Sequence, residues 1–275
     1  MSDEELLQVA ADGGVVTVTV DHPPKQLVDG AFVGALIALL DRLEADDTVR
    51  VVVVRSADPD FFLMHGDGEL LLASGPLPAQ PDSPNIAAAT FQRLADAPFV
   101  TIGAIDGAAR GGGAELLTAL DLRFGTPRTV LGQPEVPLGI LPGAGGTARL
   151  PRLLGRARAL ELILTARDVG AAEAVELGWL NAVLPDGDAL DRHVAAVATR
   201  IAAMPPASVA EVKRVVDASL GAIEGALTAE TAAYARLTVG GAHRPHMQRF
   251  LDTGGQSRQG ELDDFQATLG LPPLP

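Results

Sequence analysis

The distribution of hydrophobic and polar residues predicts a strand–helix–strand unit near the start of the chain. Val15–Val20 and residues 51–55 are short runs rich in valine, a composition typical of strands. Between them, Gly30–Glu44 has apolar residues at helical spacing, with its charged residues collected near the end. Residues 61–72 are expected to begin as a loop and to become helical.

The same alternation continues to about residue 185. The further elements predicted there are, in chain order, an irregular connection with four prolines over 75–84, a helix over 85–97, a buried strand over 99–105, a helix over 114–120, and strands over Leu122–Gly125 and 129–131. Strands that alternate with helices predict an α/β fold in which helices cover sheets of largely parallel strands.

After about Asp186 the pattern is helical throughout. The helices predicted there cover residues 189–203, 208–220, 223–237 and 245–251. We therefore predict an α/β core over residues 1–200 and a C-terminal helical region over residues 201–275. The boundary is expected near Met204, which two prolines follow.

The composition excludes some classes of functional site and argues against some classes of partner. Of the 275 residues, 47% are hydrophobic and none is cysteine, which excludes disulfides, thiolate metal sites and cysteine nucleophiles. The formal net charge of −14 argues against nucleic acid and anionic membranes as partners, because both require a basic surface. The first residues lack the order of a signal peptide, and no apolar run reaches transmembrane length. We therefore expect a cytoplasmic protein.

Three consecutive glycines, Gly111-Gly112-Gly113, stand between a predicted strand and a predicted helix. The first amides of a helix have no partner within it, and the helix dipole places positive charge there, so this point can hold a phosphate or an oxyanion. Taken alone, the glycines are explained as well by a tight turn where strand and helix pack closely. Neither this cluster nor the one at 143–146 matches a complete nucleotide-binding motif.

Two glutamates stand in apolar surroundings close to the glycine clusters. Glu115 lies in the sequence GGGAELLTAL, and Glu135 lies in a loop rich in proline and glycine. Two carboxylates beside apolar groups and free amides would suit general acid–base chemistry. Separately, Glu115 could be a first-turn residue stabilised by the helix dipole, and Glu135 a solvated loop residue. The five histidines form no metal-binding pattern, and no metal site is predicted.

Three segments, in this order, resemble the crotonase (enoyl-CoA hydratase/isomerase) family. They are residues 105–116 (IDGAARGGGAEL), residues 131–147 (LGQPEVPLGILPGAGGT) and residues 171–184 (AAEAVELGWLNAVL). The resemblance covers roughly residues 10–260. It implies a crotonase-type spiral of ββα units, with a C-terminal helical region through which the chain forms a homotrimer or a hexamer.

The resemblance also implies roles for individual residues. The backbone amides of Gly66 and Gly112 are expected to form an oxyanion hole. Glu115 is expected to deprotonate the attacking water, and Glu135 to supply a proton to the α-carbon. The implied reaction is hydration of a 2-enoyl-CoA thioester, with coenzyme A as part of the substrate and no separate cofactor. The further substrate contacts expected are those of Lys25, His65, Asp67 and Gly111, with Lys213 or Arg249 as additional cations near the CoA phosphates.

The loop around Gly66 departs from the family pattern. His65 stands where typical hydratases have a glycine, and Glu69 stands where a cation would assist the CoA phosphates. These changes leave three alternatives open: double-bond isomerisation, thioester hydrolysis, and carbon–carbon cleavage of a diketone by His65 without CoA. A catalytically idle scaffold protein is a fourth, against which the retained glutamates and glycines argue.

Overall fold

The computed structural model of the chain describes residues 6–73 and 83–272. Its strands are, in chain order, β1 (Leu7–Asp12), β2 (Val15–Val20), β3 (Val51–Ser56), β4 (Phe61–Leu63), β5 (Val100–Ile105), β6 (Ala108–Arg110), β7 (Leu122–Gly125), β8 (Val130–Gly132), β9 (Val169–Gly170) and β10 (Ala182–Val183). Six strands form one sheet in the order β1-β2-β3-β5-β7-β10, and four form a second in the order β4-β6-β8-β9. Most pairs are parallel; β1 with β2 and β8 with β9 are antiparallel.

The helices cover the two sheets and extend beyond them. In chain order they are α1 (Gly30–Glu44), α2 (Gly68–Ala73), α3 (Ile86–Ala95), α4 (Gly112–Ala119), α5 (Gly146–Leu154), α6 (Arg156–Thr165), α7 (Ala171–Leu177), α8 (Gly187–Ala202), α9 (Pro206–Ser219), α10 (Glu224–Val239), α11 (Arg244–Asp252), α12 (Arg258–Asp263) and α13 (Phe265–Thr268). A 3-10 turn, Val136–Leu138, follows β8.

Five observed strands, β1, β4, β6, β9 and β10, were not predicted from the sequence, and two of them show why. Residues 61–63, predicted as a loop, form β4; all three are buried, so no alternation of polar and apolar residues marks the strand. Strand β1 was not predicted. It lies at the edge of the sheet with five of its six residues exposed, and a two-residue turn at Gly13-Gly14, both with positive φ, joins it to β2.

The main core lies between the sheets and their helices. Helix α1 begins where the Asp29 side chain accepts a hydrogen bond from the Phe32 amide (2.9 Å), and it buries a continuous apolar face. That face packs in one cluster with Val52 and Val54 of β3 and with residues of α4. On the other side of the larger sheet, α8 covers β3 and β5. These contacts fix the two sheets relative to α4, which carries Glu115.

The C-terminal helices divide into two groups. Helix α9 buries none of its residues. By contrast, Leu227 of α10 and Met247 and Phe250 of α11 are buried against the α/β part of the chain. The predicted boundary near Met204 stays a prediction. Most of the predicted connection over 75–84 lies outside the described residues. Across residues 6–73 and 83–272, no helix is long and apolar enough to cross a membrane.

Candidate active site

The glycine run joins β6 to α4 at a point where other backbone comes very close. Gly111 has φ +51°, and a Cβ there would lie 2.6 Å from Glu135 Oε1 and 2.8 Å from His65 Cβ. A Cβ at Gly113 would overlap the Leu63 carbonyl, and the Gly113 N–H donates to the Met64 carbonyl at 2.9 Å. The glycines are therefore needed both for a tight turn and for bringing the start of α4 against residues 63–66.

The two amides predicted as oxyanion donors line the same cavity. Within the described residues, the N–H groups of Gly66 and Gly112 have no protein acceptor. The Val28 N–H donates to the His65 carbonyl at 3.1 Å. Because the carbonyl and the N–H of a trans peptide point in opposite directions, this bond turns the Gly66 N–H away from Val28. Two unpaired amides at one cavity can stabilise negative charge on a bound oxygen.

Glu115 is held by backbone amides at the start of α5. Its Oε1 accepts hydrogen bonds from the Ala144 N–H (2.7 Å) and the Gly146 N–H (2.8 Å), and the residue is only 3% exposed. Burial, reinforced by the negative charge of Glu230, raises the pKa of Glu115 to about 8, although the two amides act in the opposite direction. Glu115 thus exchanges its proton near neutral pH, and the two amides offset part of the cost of its charge.

Glu135 has fewer partners than Glu115. It stands immediately before the 3-10 turn, is 7% exposed, and its Oε2 has no hydrogen-bond partner within the described residues. Burial and the nearby charge of Glu115 raise the pKa of Glu135 well above its ordinary value. Its protonated form is therefore more favoured than that of a solvated glutamate. The two glutamates therefore differ in hydrogen bonding: Glu115, with two amide donors, is suited to act as a base, and Glu135, with an unpartnered oxygen, is suited to act as an acid.

A third buried glutamate, Glu230 of α10, was not predicted from the sequence. Its Oε1 accepts from the Gly145 N–H at 2.6 Å, and its Oε2 accepts from the Ala148 N–H at 3.1 Å and from the Thr147 hydroxyl. Glu115 and Glu230 therefore bind different amides of one short segment, residues 144–148. Burial raises the pKa of Glu230 despite these hydrogen bonds.

The cavity has a volume of about 700 Å³, and its wall is mostly apolar. Gly66, Gly112, Glu115 and Glu135 all line it, as do His65 and Asp67. Apolar side chains from α1, from the segment after Glu135 and from α11 form much of the rest; they include Val33, Ile37, Leu138, Ile140, Met247 and Phe250. A polar reaction centre inside an apolar cavity fits a ligand with one reactive polar group and an apolar chain.

The other residues predicted to contact substrate lie in different places. Gly111 is wedged between Glu135 and His65 behind the cavity wall. Lys25 does not line the cavity, and its Nζ lies 3.8 Å from Glu69 Oε1. Lys213 Nζ binds Asp121 Oδ2 and the Phe99 carbonyl, each at 2.8 Å, away from the cavity.

The other predicted cation, Arg249, also lies outside the site, whereas Tyr234, which was not predicted, lines it. Arg249 Nη2 donates to the Leu269 carbonyl at 3.4 Å and lies outside the cavity wall. Tyr234, the single tyrosine of the chain, lines the cavity from α10. Throughout the part of the chain that the structure describes, no group of three or more His, Asp or Glu side chains could hold a metal ion.

Comparison with known proteins identifies the fold. The family model described as enoyl-CoA hydratase/isomerase matches residues 10–255. A proposed enoyl-CoA hydratase from Streptomyces avermitilis is 35% identical, with a TM-score of 0.84 over 96% of this chain and 97% of that one. An enoyl-CoA hydratase/isomerase from Xanthobacter autotrophicus Py2 is 27% identical, with a TM-score of 0.82 over 96% of each chain. These matches confirm the predicted α/β fold of crotonase type.

A curated relative has a longer chain. The fatty acid oxidation complex subunit alpha of Idiomarina loihiensis is 34% identical over 193 residues, which are 69% of this chain but only 27% of that protein. The same subunit from Vibrio parahaemolyticus is 34% identical over 28% of its length. The chain therefore corresponds to little more than a quarter of these relatives.

Proposed function

Because this chain belongs to the enoyl-CoA hydratase/isomerase family, we propose that it adds water across the double bond of a 2-enoyl-CoA thioester. The observation that carries the proposal is the arrangement of one cavity, which two buried glutamates and two residues with unpaired amides line together. The family acts on acyl-CoA thioesters, and the mostly apolar wall suits an acyl chain. Coenzyme A enters as part of the substrate, and the reaction requires no other cofactor.

The amides of Gly66 and Gly112 act on the thioester carbonyl. Attack at the β-carbon moves negative charge onto the carbonyl oxygen, and the two N–H groups stabilise that charge. Because they are already oriented, no reorganisation is needed as the charge develops. Loss of one such donor typically raises the barrier by about 3 kcal/mol.

The glutamates divide the proton transfers. Glu115, whose anion is stabilised by two amides, orients the water and removes its proton. Glu135, whose unpartnered oxygen favours the protonated form, delivers a proton to the α-carbon. Since the two carboxyl groups influence each other's pKa, the pair titrates as a coupled unit.

Hydrogen bonding of His65 argues against diketone cleavage with this residue as base. Its Nε2 lies 2.8 Å from Glu261 Oε1, and its Nδ1 lies 2.8 Å from the Gly66 carbonyl. Both partners are acceptors, so both ring nitrogens donate and the ring is an imidazolium. An imidazolium has no lone pair with which to accept a proton from substrate.

Self-association is part of the proposal. Helix α9 presents Val212, Val215 and Val216 to solvent, each more than half exposed, and Leu220 follows it. A contiguous apolar face of this kind marks a surface that another copy covers. We expect a trimer or hexamer; a monodisperse monomer by light scattering at micromolar concentration would contradict this.

The reaction is tested by following the absorbance of the conjugated thioester of crotonyl-CoA, with a 3-enoyl-CoA and a diketone in parallel. Hydration should consume crotonyl-CoA and yield a product heavier by one water. Glu115→Gln and Glu135→Gln should each lower kcat at least ~100-fold, because each removes a proton acceptor or donor. Glu176→Gln, an exposed glutamate on α7, is the matched control.

Two outcomes would contradict the proposal. Near-parental turnover of crotonyl-CoA by Glu135→Gln would exclude the two-glutamate mechanism. Turnover of the 3-enoyl-CoA or of the diketone, but not of crotonyl-CoA, by the parent protein would replace hydration by isomerisation or by diketone cleavage.

A further inference from the structure

Residues 256–261, here the clamp segment, bind residues 65–68, here the oxyanion loop, through three side-chain contacts. Gln256 Oε1 accepts from the Gly68 N–H at 2.6 Å, and Gln256 Nε2 donates to Asp67 Oδ1 at 2.9 Å. Glu261 Oε1 accepts from His65 Nε2 at 2.8 Å. The contacting residues of the two segments are about 190 positions apart in sequence. Even so, the clamp segment binds three of the four residues of the oxyanion loop.

The clamp segment has its own supports. Gln256 is 2% exposed and adopts a left-handed backbone, with φ +61°, which residues other than glycine adopt rarely. Its own N–H donates to Glu261 Oε1 at 3.2 Å, so Gln256 and Glu261 hold each other. Gly68 fits tightly beneath them, since a Cβ there would lie 3.2 Å from Gln256 Oε1 and 2.8 Å from Met247 Sδ.

Ion pairs hold the C-terminal end of the clamp segment, at Glu261. Glu261 Oε2 lies 3.3 Å from Arg110 Nη1, and Arg110 forms a two-bond pair with Asp168 at 2.8 and 2.9 Å. Aromatic rings flank this network. The Arg110 guanidinium lies 4.2 Å from the ring centre of Phe265, and the His65 ring meets Phe250 edge-to-face at 5.7 Å.

The anchored residues surround Gly66, the proposed oxyanion donor. His65 is bound at its side chain by Glu261 and at its carbonyl by Val28, so the peptide that carries the Gly66 N–H is fixed from two sides. On the other side of Gly66, Asp67 and Gly68 are both bound to Gln256. A Cβ at Gly66 would meet only the Val28 carbonyl oxygen, at an ordinary contact distance of 3.8 Å, so close packing does not hold Gly66 in place.

We propose that Gln256 and Glu261 are positioning residues, which hold the Gly66 N–H in the geometry that stabilises the thioester oxyanion. They act through Asp67, Gly68 and His65 and do not touch substrate. The inference rests on the proposed function, because the oxyanion belongs to that reaction. It also explains His65: an imidazole reaches Glu261, whereas the glycine typical of this position could not.

The test compares Gln256→Ala and Glu261→Gln with Gln259→Ala, an exposed control within the same segment whose side chain hydrogen-bonds Asp263. Gln256→Ala removes both contacts with the loop; Glu261→Gln keeps the size but removes the charge. Loss of an oxyanion donor typically lowers kcat by about 10²–10³-fold. We expect a displaced donor to lower kcat by about 10-fold or more, with KM changed by less than about 3-fold, because the donor acts mainly on the transition state.

A second readout reports the hydrogen bonds to the carbonyl directly. An aryl-conjugated enoyl-CoA absorbs at longer wavelength when its carbonyl accepts strong hydrogen bonds. Bound to the parent and to Gln259→Ala it should show the full shift, and bound to Gln256→Ala or Glu261→Gln a smaller one. A purely structural role would change thermal stability and leave this shift and kcat as in the parent, which would overturn the inference.

Hydrogen exchange of peptides covering residues 62–72 separates the inference from the proposed function. Faster exchange of this loop in Gln256→Ala than in Gln259→Ala supports the clamp even if the parent hydrates no thioester. Equal exchange in the two variants overturns it. If Gln256→Ala does not fold, Glu261→Gln decides the question by the same three measurements.

Discussion

Two glutamates of the C-terminal helices bind two different loops of the α/β part, and the charges of the groups around them are opposite. Glu230 faces backbone amides and a hydroxyl at residues 144–148, with the buried carboxyl group of Glu115 beside it. Glu261 faces His65 and Arg110 at the oxyanion loop. Both are almost completely buried, at 4% and 5% exposure.

The difference shows that burial alone does not decide the charge of a side chain. At Glu230 burial outweighs the hydrogen bonds, and the pKa is raised. At Glu261 burial acts in the same direction, but the two cations outweigh it, and the pKa is lowered. The first setting keeps protons near the glutamate pair, as acid–base chemistry requires. The second maintains a fixed ion pair, which is suited to holding a loop in place.

The largest effect on stability is expected for Glu261→Leu. It leaves the imidazolium of His65 without its carboxylate and removes one of the two anions beside Arg110. Loss of one partner of a buried ion pair lowers the free energy of unfolding by about 3–5 kcal/mol. Urea unfolding of parent and variant measures this difference. A loss below about 1 kcal/mol would mean that the ion pair contributes little to the fold.

A smaller effect is expected for Glu230→Leu. It leaves the Gly145 and Ala148 amides and the Thr147 hydroxyl without an acceptor, and an unsatisfied buried group costs about 1–3 kcal/mol. Removal of charge repulsion with Glu115 offsets part of that cost. The same urea experiment should therefore rank Glu230→Leu as less destabilised than Glu261→Leu. The reverse order would show that amide satisfaction outweighs the ion pair.

The smallest effect is a displacement of the pH–rate profile by Glu230→Gln. As a base, Glu115 must be ionised, so the rate should rise with pH through its pKa of about 8. Glu230→Gln removes a neighbouring negative charge, which lowers the pKa of Glu115 and moves this limb to lower pH. Glu261→Gln, which lies in the other network, should leave the limb where it is. Movement of the limb by both variants would contradict the separation of the two networks.

The same pKa shifts predict opposite effects of pH on stability. The pKa of Glu115 is raised in the folded state, so its contribution to stability is complete below about pH 4.5 and is lost as the pH rises through about 8. The pKa of Glu261 is lowered, so its contribution is present above about pH 4.5 and is lost as the pH falls through its folded value. Any one group changes the free energy of unfolding by at most about 1.4 kcal/mol per pH unit.

Elements with strong periodicity could be predicted from sequence to within a few residues. Gly30–Glu44 was predicted with its observed bounds from its apolar spacing, and the structure adds that Asp29 caps its start. Strand β4 was predicted wrongly, since three buried residues carry no periodicity. Helices α8 to α11 were predicted as helices, whereas α12, which carries Glu261, and α13 were not. The contacts of these helices with the loops of the core depend on tertiary packing that no local pattern encodes.

Local sequence likewise marks some residues of the site and not others. Glu115 and Glu135 stood out in sequence because apolar and small residues surround them. Glu230 lies in an alanine-rich helix where a glutamate is usually solvated; the small residues around it were the available signal of close packing. Glu261 lies among charged residues, in the sequence RQGELDD, and nothing local distinguishes it. The roles assigned to these residues stay predictions until the variants are measured.

The distance in sequence between the oxyanion loop and the clamp segment affects the order in which the parts of the site form during folding. His65 and Glu261 are separated by 196 positions, and closing so long a loop is slow compared with forming the helices and hairpins nearby. During synthesis, residues 7–183, which contain all ten strands found in the described part of the chain, leave the ribosome well before residue 261 has been made. The nascent chain therefore passes through a stage with its glutamate pair and glycine run in place and its oxyanion loop still untethered.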